Sequence, residues 1–307
     1  MTQLSSLLRQ LRRPGAALAA GFLVLLVLIA IFADILAPYE PIAQSADRLA
    51  GPSAEHWLGT DQFGRDTLSR LIVGSRVDLL VSFGATAVAT ILGVVIGLIG
   101  GSSRGAVGLL SMRGVEVILA FPPIVFALLI VTLFGPGELT MIATMGVLFA
   151  PAFARIVYGE VLTIRNLEYV QASEVIGSRR TRILFRVILP GVVPPVLVQV
   201  SLTLASTMLL SAGLSFLGLG VVPPTPSWGS MIGEGQALML SNPLLLFVSS
   251  GIIVATILAF SVLADTIDRG LDPRRAAQVS RTPRARLTPP TTQVIPVNPR
   301  KKLEARP

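Results

Sequence analysis

Catalysis and ligand binding need side chains that can take a proton, hold a metal or attack a bond, and this chain offers few. It has no Cys and a single His, His56. Thiolate chemistry, disulfides and a histidine-built metal site are therefore excluded. Lys stands only at 301 and 302, so no G-x-x-x-x-G-K-[ST] phosphate loop can form. If ATP drives this protein, another chain binds it. Two groups of charged residues remain. The first sets Asp61, Arg65, Asp66 and Arg70 close behind His56. Either these carboxylates cap turns and helix starts and pair with the arginines, or they dock an external protein. The second is Arg165, Arg179, Arg180, Arg182 and Arg186, inside the stretch RNLEYVQASEVIGSRRTRILFRVILPGVVPP from 165 to 195. Arginines on an amphipathic stretch suit a membrane surface or a partner's groove.

The background that must position these groups is apolar: 52% of the 307 residues are hydrophobic and 14% charged. A soluble domain carries about 25% charged residues. The chain is predicted to be an all-α integral membrane protein with six spans, at 16–36, 77–100, 114–134, 139–158, 196–219 and 243–264. A basic N-terminus before an apolar run resembles a signal peptide, but the run is too long for one and is an uncleaved first span. Residues 38–76 form a polar outer segment and 102–113 a short basic loop. Pro122-Pro123 predict a kink in the third span, and Pro151 lies inside the fourth. Gly93 and Gly97, four apart, predict a close-packing face toward a neighbouring helix, in this chain or another. Ser201, Thr203, Ser206, Thr207, Ser211 and Ser215 either line a pore or bond their own helix carbonyls. Residues 273–307, with seven Pro and nine Lys or Arg, predict a disordered basic tail at the membrane surface.

Charge sets the orientation. With the N-terminus inside, 21 of the 25 Lys and Arg fall on inner segments, and the other four, Arg48, Arg65, Arg70 and Arg76, lie in the first outer segment. The positive-inside rule then places both termini and the 165–195 stretch in the cytoplasm. The net charge of +8 follows from this asymmetry and implies no nucleic-acid binding.

Within 165–195, Leu167, Val170 and Glu174 predict a short helix, Gly177 a left-handed turn, and Ile183, Leu184, Val187 and Ile188 the apolar face of a second helix that Leu189-Pro190 closes. The order Gln171-Ala172-Ser173, Gly177, Val187-Ile188-Leu189-Pro190 resembles the "EAA" signature of ATP-binding-cassette importer permeases, with a degenerate triplet and an intact Gly and Leu-Pro. The segment HWLGTDQFGRDTLSRLIVGSR, with Gly59, Thr60, Asp61, Gly64, Arg65 and Asp66, resembles the segment after the first span in C-type permeases of dipeptide, oligopeptide and nickel importers. The stretch LSFLGLGVVPPTPSWGSMI resembles the outer mouth of the same family.

The resemblance covers roughly residues 15–272. It implies a type I importer permease whose six-span domain, 16–272, lies between a cytoplasmic N-terminus, 1–15, and the tail. The loop 159–195 would be a coupling helix-turn-helix seated in a groove of an ATPase subunit. Tyr169, Ala172, Ser173, Glu174 and Gly177 would make the contact, and Leu189 and Pro190 would fix it to the fifth span. The implied partners are a second, related permease, two ATPase subunits that hold ATP and Mg, and an external substrate-binding protein. The implied place is the bacterial plasma (inner) membrane. The implied solutes are di- or oligopeptides, with nickel and glutathione as alternatives. This chain would be no enzyme itself. A self-contained secondary transporter would need ionisable groups deep in its spans; Glu116, Arg155 and Asp265 fall near the predicted span ends.

Overall fold

The computed structural model describes residues 13–103 and 105–271. The predicted disordered tail and most of the N-terminal segment lie outside the described residues. The elements run α1 (Pro14–Ile31), α2 (Ala33–Leu36), α3 (Thr67–Ser102), α4 (Ala106–Leu119), α5 (Pro123–Phe134), α6 (Glu138–Arg165), α7 (Glu168–Val175), α8 (Arg180–Ile183), a π-helical turn (Leu184–Ile188), α9 (Leu189–Phe216), α10 (Trp228–Ala237) and α11 (Pro243–Leu271). Five of these, α1, α3, α6, α9 and α11, are long and apolar enough to cross a membrane, and α4 with α5 is apolar enough only as a bent pair, either a broken sixth span or a re-entrant loop.

Several boundaries differ from expectation, each for a local reason. Helix α3 begins at Thr67, ten residues before the predicted span, because Asp66 caps it: the Asp66 carboxylate accepts the Ser69 N–H at 2.8 Å. Its 36 residues reach about 54 Å, well beyond a hydrocarbon core of about 30 Å. Most of the predicted basic loop is helical instead, since α4 already begins at Ala106. At Pro122-Pro123 the third span breaks rather than kinks: α4 and α5 meet at 89°, since neither Pro has an N–H for the preceding turn. Helix α6 absorbs Pro151 and continues past Tyr158 to Arg165.

The glycine face of α3 is used within this chain. A Cβ at Gly97 would sit 2.6 Å from the Val157 Cβ and 2.7 Å from the Ala154 carbonyl, so α3 and α6 pack backbone to backbone, as small residues allow. The serines and threonines of α9 divide: Ser201, Ser206 and Thr207 bond carbonyls of their own helix, and the buried Ser211 and Ser215 hydroxyls find no partner among the described residues. Ser206 donates to Leu202 O and Thr207 to Thr203 O, and Ser201, Thr203, Thr207, Ser211 and Ser215 are all buried.

Three apolar clusters hold the bundle. One joins α1, α3, α9, α10 and α11 through Leu26, Leu79, Met208, Trp228, Leu245 and Phe260. A second joins α3, α5, α6 and α9 through Val81, Ala127, Met145 and Leu214. The third gathers Val157, Val161, Ile164, Val170, Ile183, Ile188 and Val192, fastening the 168–188 segment to α6 and α9.

Candidate functional site

The two groups singled out in the sequence lie at opposite ends of α3. At its first turn Asp61, fully buried, accepts the N–H groups of Phe63 and Arg65 at 2.8 and 3.0 Å and Arg65 Nε at 2.6 Å. Arg70 Nη1 donates to the same carboxylate. The guanidinium of Arg70 also grips Glu234 of α10 through both terminal nitrogens, at 2.6 and 2.9 Å. Asp66 accepts from Ser69 and pairs with His56 Nδ1 at 2.9 Å. Thr60 receives the Ala50 N–H at 2.9 Å on its hydroxyl and the Asn242 side-chain amide at 3.2 Å on its carbonyl. Gly59 and Gly64 hold φ near +75°, and a Cβ on either would strike the carbonyl of Ala50 or Ser45; only Gly fits both constraints.

All six predicted residues, Gly59, Thr60, Asp61, Gly64, Arg65 and Asp66, thus come together. Asp61 and Asp66 are buried and spent on internal partners, which leaves them no surface for an external protein. The residues that reach this end of α3 from far along the chain, Glu234 on Arg70 and Arg65 and Trp228 on Asp78, were missed. Trp228, fully buried, packs on Gly74 and gives its ring N–H to Leu71 O at 2.9 Å, while its backbone N–H goes to Asp78 at 2.7 Å. Glu234 carried a signal that spacing rules do not weigh: it is the only charged residue between Arg186 and Asp265. Such isolation in an apolar stretch points to a partner elsewhere.

At the other end, α7 and α8 form the predicted helix-turn-helix. Gly177 has φ +86°, and the Ser178 N–H returns to Ser173 O at 3.1 Å. This six-to-one bond is the Schellman closure that favours glycine. Val170 and Ile183 face inward, and Arg179, Arg182 and Arg186 face out. Tyr169 and Ala172 are exposed, and Ser173 is half-buried with its hydroxyl on Tyr169 O. The Glu174 side chain lies outside the described residues. Around the turn Val175, Ile176 and Phe185 are 88%, 84% and 62% exposed, an apolar collar the sequence reading did not single out. Ile176, Gly177, Arg179, Arg182, Phe185 and Arg186 line an open groove of about 760 Å³.

Leu189-Pro190 does not end the second helix as predicted. The chain widens into the π-helical turn at Leu184–Ile188, with the Leu189 N–H reaching back to Leu184 O, and runs on into α9. A π turn makes room where Pro190 lacks an N–H and its ring would crowd the preceding carbonyl. The segment is thereby joined to a span without a hinge. Among the described residues no group of three His, Asp or Glu is placed to hold a metal.

Residues 68–277 match the family of binding-protein-dependent transport system inner membrane components. The chain belongs to this permease family. Residues 2–52 of the permease match the N-terminal transmembrane domain of oligopeptide transport permease C. The permease is 38% identical over 269 residues to the glutathione transport system permease protein GsiD of Pectobacterium atrosepticum, covering 87% of this chain and 89% of that one. It is 36% identical over 260 residues to the di/tripeptide transport system permease protein DppC of Pseudomonas aeruginosa, covering 82% and 86%. Its fold matches a chain of the MetNI methionine ABC transporter with TM-score 0.56 at 18% identity, over 66% of this permease and 96% of that chain. An amino acid ABC transporter chain matches at TM-score 0.53 and 20% identity. The permease is an all-α, multi-pass membrane subunit of an ATP-binding-cassette importer with the type I fold, a transport component rather than an enzyme.

Proposed function

We propose that this permease forms half of the path for di- or oligopeptides and couples to an ATPase subunit through residues 165–190. The observation that carries the coupling role is the collar of Tyr169, Val175, Ile176 and Phe185 around Gly177, exposed although apolar. Exposed apolar clusters of this kind mark protein contacts. The segment rests on a buried seam with α6 and α9, so a push on the collar passes to two spans at once. In this reading Tyr169, Ala172, Ser173, Glu174 and Gly177 meet the groove of the ATPase, and Leu189 and Pro190 link that contact to α9.

The assembly would hold a second, related permease, two ATPase subunits carrying ATP and Mg, and an external binding protein. Both termini, 1–15 and 273–307, would lie in the cytoplasm on either side of the 16–272 permease domain. ATPase closure would draw the coupling helices together and turn the paired bundles outward, and hydrolysis would reset them. The relatives named for di/tripeptides and for glutathione, itself a tripeptide, agree on small peptides with free carboxylates.

Gly177→Val tests the role. Nothing lies within 4 Å of a Cβ at Gly177, so no clash arises, but a β-branched residue at φ +86° costs about 1–3 kcal/mol of backbone strain and should reshape the turn. Peptide uptake into cells should fall at least about tenfold, as about 1.4 kcal/mol already gives tenfold, with the permease still present in the membrane. Normal uptake at normal membrane levels would remove the coupling assignment.

A further inference from the structure

Arg155 was expected near the end of the fourth span. Because α6 runs on to Arg165, it lies ten residues inside the helix, about 15 Å from that end. It opens onto a cavity of about 660 Å³ between α4 and α6, shared with Arg113, Glu116, Leu119, Ala120 and Tyr158. Arg113 and Glu116 pair with each other at 2.7 Å. Arg155 is exposed and has no ion-pair partner among the described residues. The cavity wall ends where α4 breaks from α5: Pro123 has no N–H to give the Leu119 carbonyl. Irregular backbone and ionisable side chains inside a membrane protein persist where they line a wet cavity or path.

We propose that this cavity is a transit site for the carboxylate of a small zwitterionic solute, on the coupling-segment side of the membrane. Arg155 receives the carboxylate through charge-assisted hydrogen bonds. Glu116, shared with Arg113, receives the ammonium group. The volume suits a molecule of two or three residues rather than a long chain. An anionic lipid headgroup would satisfy Arg155 alone, but the adjoining carboxylate of Glu116 repels a phosphate and attracts an ammonium. The identity of the solute as a peptide rests on the function proposed above.

The test uses the complete importer in lipid nanodiscs, without its external binding protein, and radiolabelled tri-alanine as the probe. The wild type should bind tri-alanine saturably, and tri-alanine with an amidated C-terminus should compete at least about tenfold less well, as loss of a hydrogen bond to a charged group implies. Arg155→Gln should weaken tri-alanine about tenfold while leaving the amide nearly unchanged, and Arg155→Lys should restore part of the loss. An equal loss for both probes would mark a packing or lipid-anchoring role and overturn the proposal, as would unchanged binding in Arg155→Gln. Uptake of tri-alanine by cells carrying the whole wild-type importer, with no saturable binding in the nanodiscs, would overturn the site alone. No uptake of any peptide by those cells would overturn the peptide reading and the site with it.

Discussion

Arg70 shows how a single residue can organise one end of this permease. It is 2% exposed, yet it bridges Asp61, nine residues back, and Glu234, far along the chain. Two arginines and two carboxylates balance there, and removing one alone leaves a buried charge uncompensated. Glu234→Ala should leave the buried Arg70 and Arg65 facing Asp61 alone. Breaking one member of a buried pair costs about 3–5 kcal/mol. Glu234 keeps 23% of its side chain exposed, so the lower end of that range applies. Thermal unfolding of the purified protein in detergent should show a clearly lowered midpoint. The double variant Arg70→Met, Glu234→Met should recover part of it, because two apolar groups of similar size need no partner. A Glu234→Ala midpoint equal to wild type would mean the network holds nothing together. The near half of this cluster was legible in the sequence, since Asp61, Arg65, Asp66 and Arg70 are neighbours in the chain. The far half was not, because Glu234 and Trp228 reach it only through the packing of α10 onto α3.

Among the elements, the α3–α6 pair is the stiff spine, and its closeness depends on glycine. Gly97→Val would drive two methyl groups into Val157 and the Ala154 backbone. Overpacking of this kind costs about 1–3 kcal/mol or more, and the yield of folded, monodisperse protein on size-exclusion chromatography should fall. Gly114→Ala in α4 is the contrasting case: nothing lies within 4 Å of its Cβ, and removing a mid-helix Gly gains about 0.5–1 kcal/mol. If both variants behaved alike, the spine would not be packed as described. The four-residue glycine spacing foretold a packing face but not which helix it meets. Pro122-Pro123 foretold a bend but not one of 89°. The Leu-Pro at 189–190 signalled a helix end, and tertiary packing overrode it: Ile188 and Val192 are both buried in the seam with α6, so the helix gains by continuing through a π turn. In the same way hydropathy marked the apolar heart of each span and missed the polar turns of α3 and α6 that project beyond it.

For the whole molecule, the two ends of the long α3 do different work. The cluster around Arg70 is buried and its charges are paired, whereas the segment around Gly177 carries its apolar side chains exposed. In the function proposed above, the exposed apolar segment is where a partner would act on the bundle. The central claim is therefore about assembly. It is tested most directly by isolating the tagged chain from detergent-solubilised membranes and identifying its stoichiometric partners by mass spectrometry, for the wild type and for Gly177→Val. The account predicts that a second permease and ATPase chains accompany the wild type, and that Gly177→Val keeps the permease and loses the ATPases. Recovery of the chain alone or as a homo-oligomer, or ATPases retained in full by Gly177→Val, would contradict it.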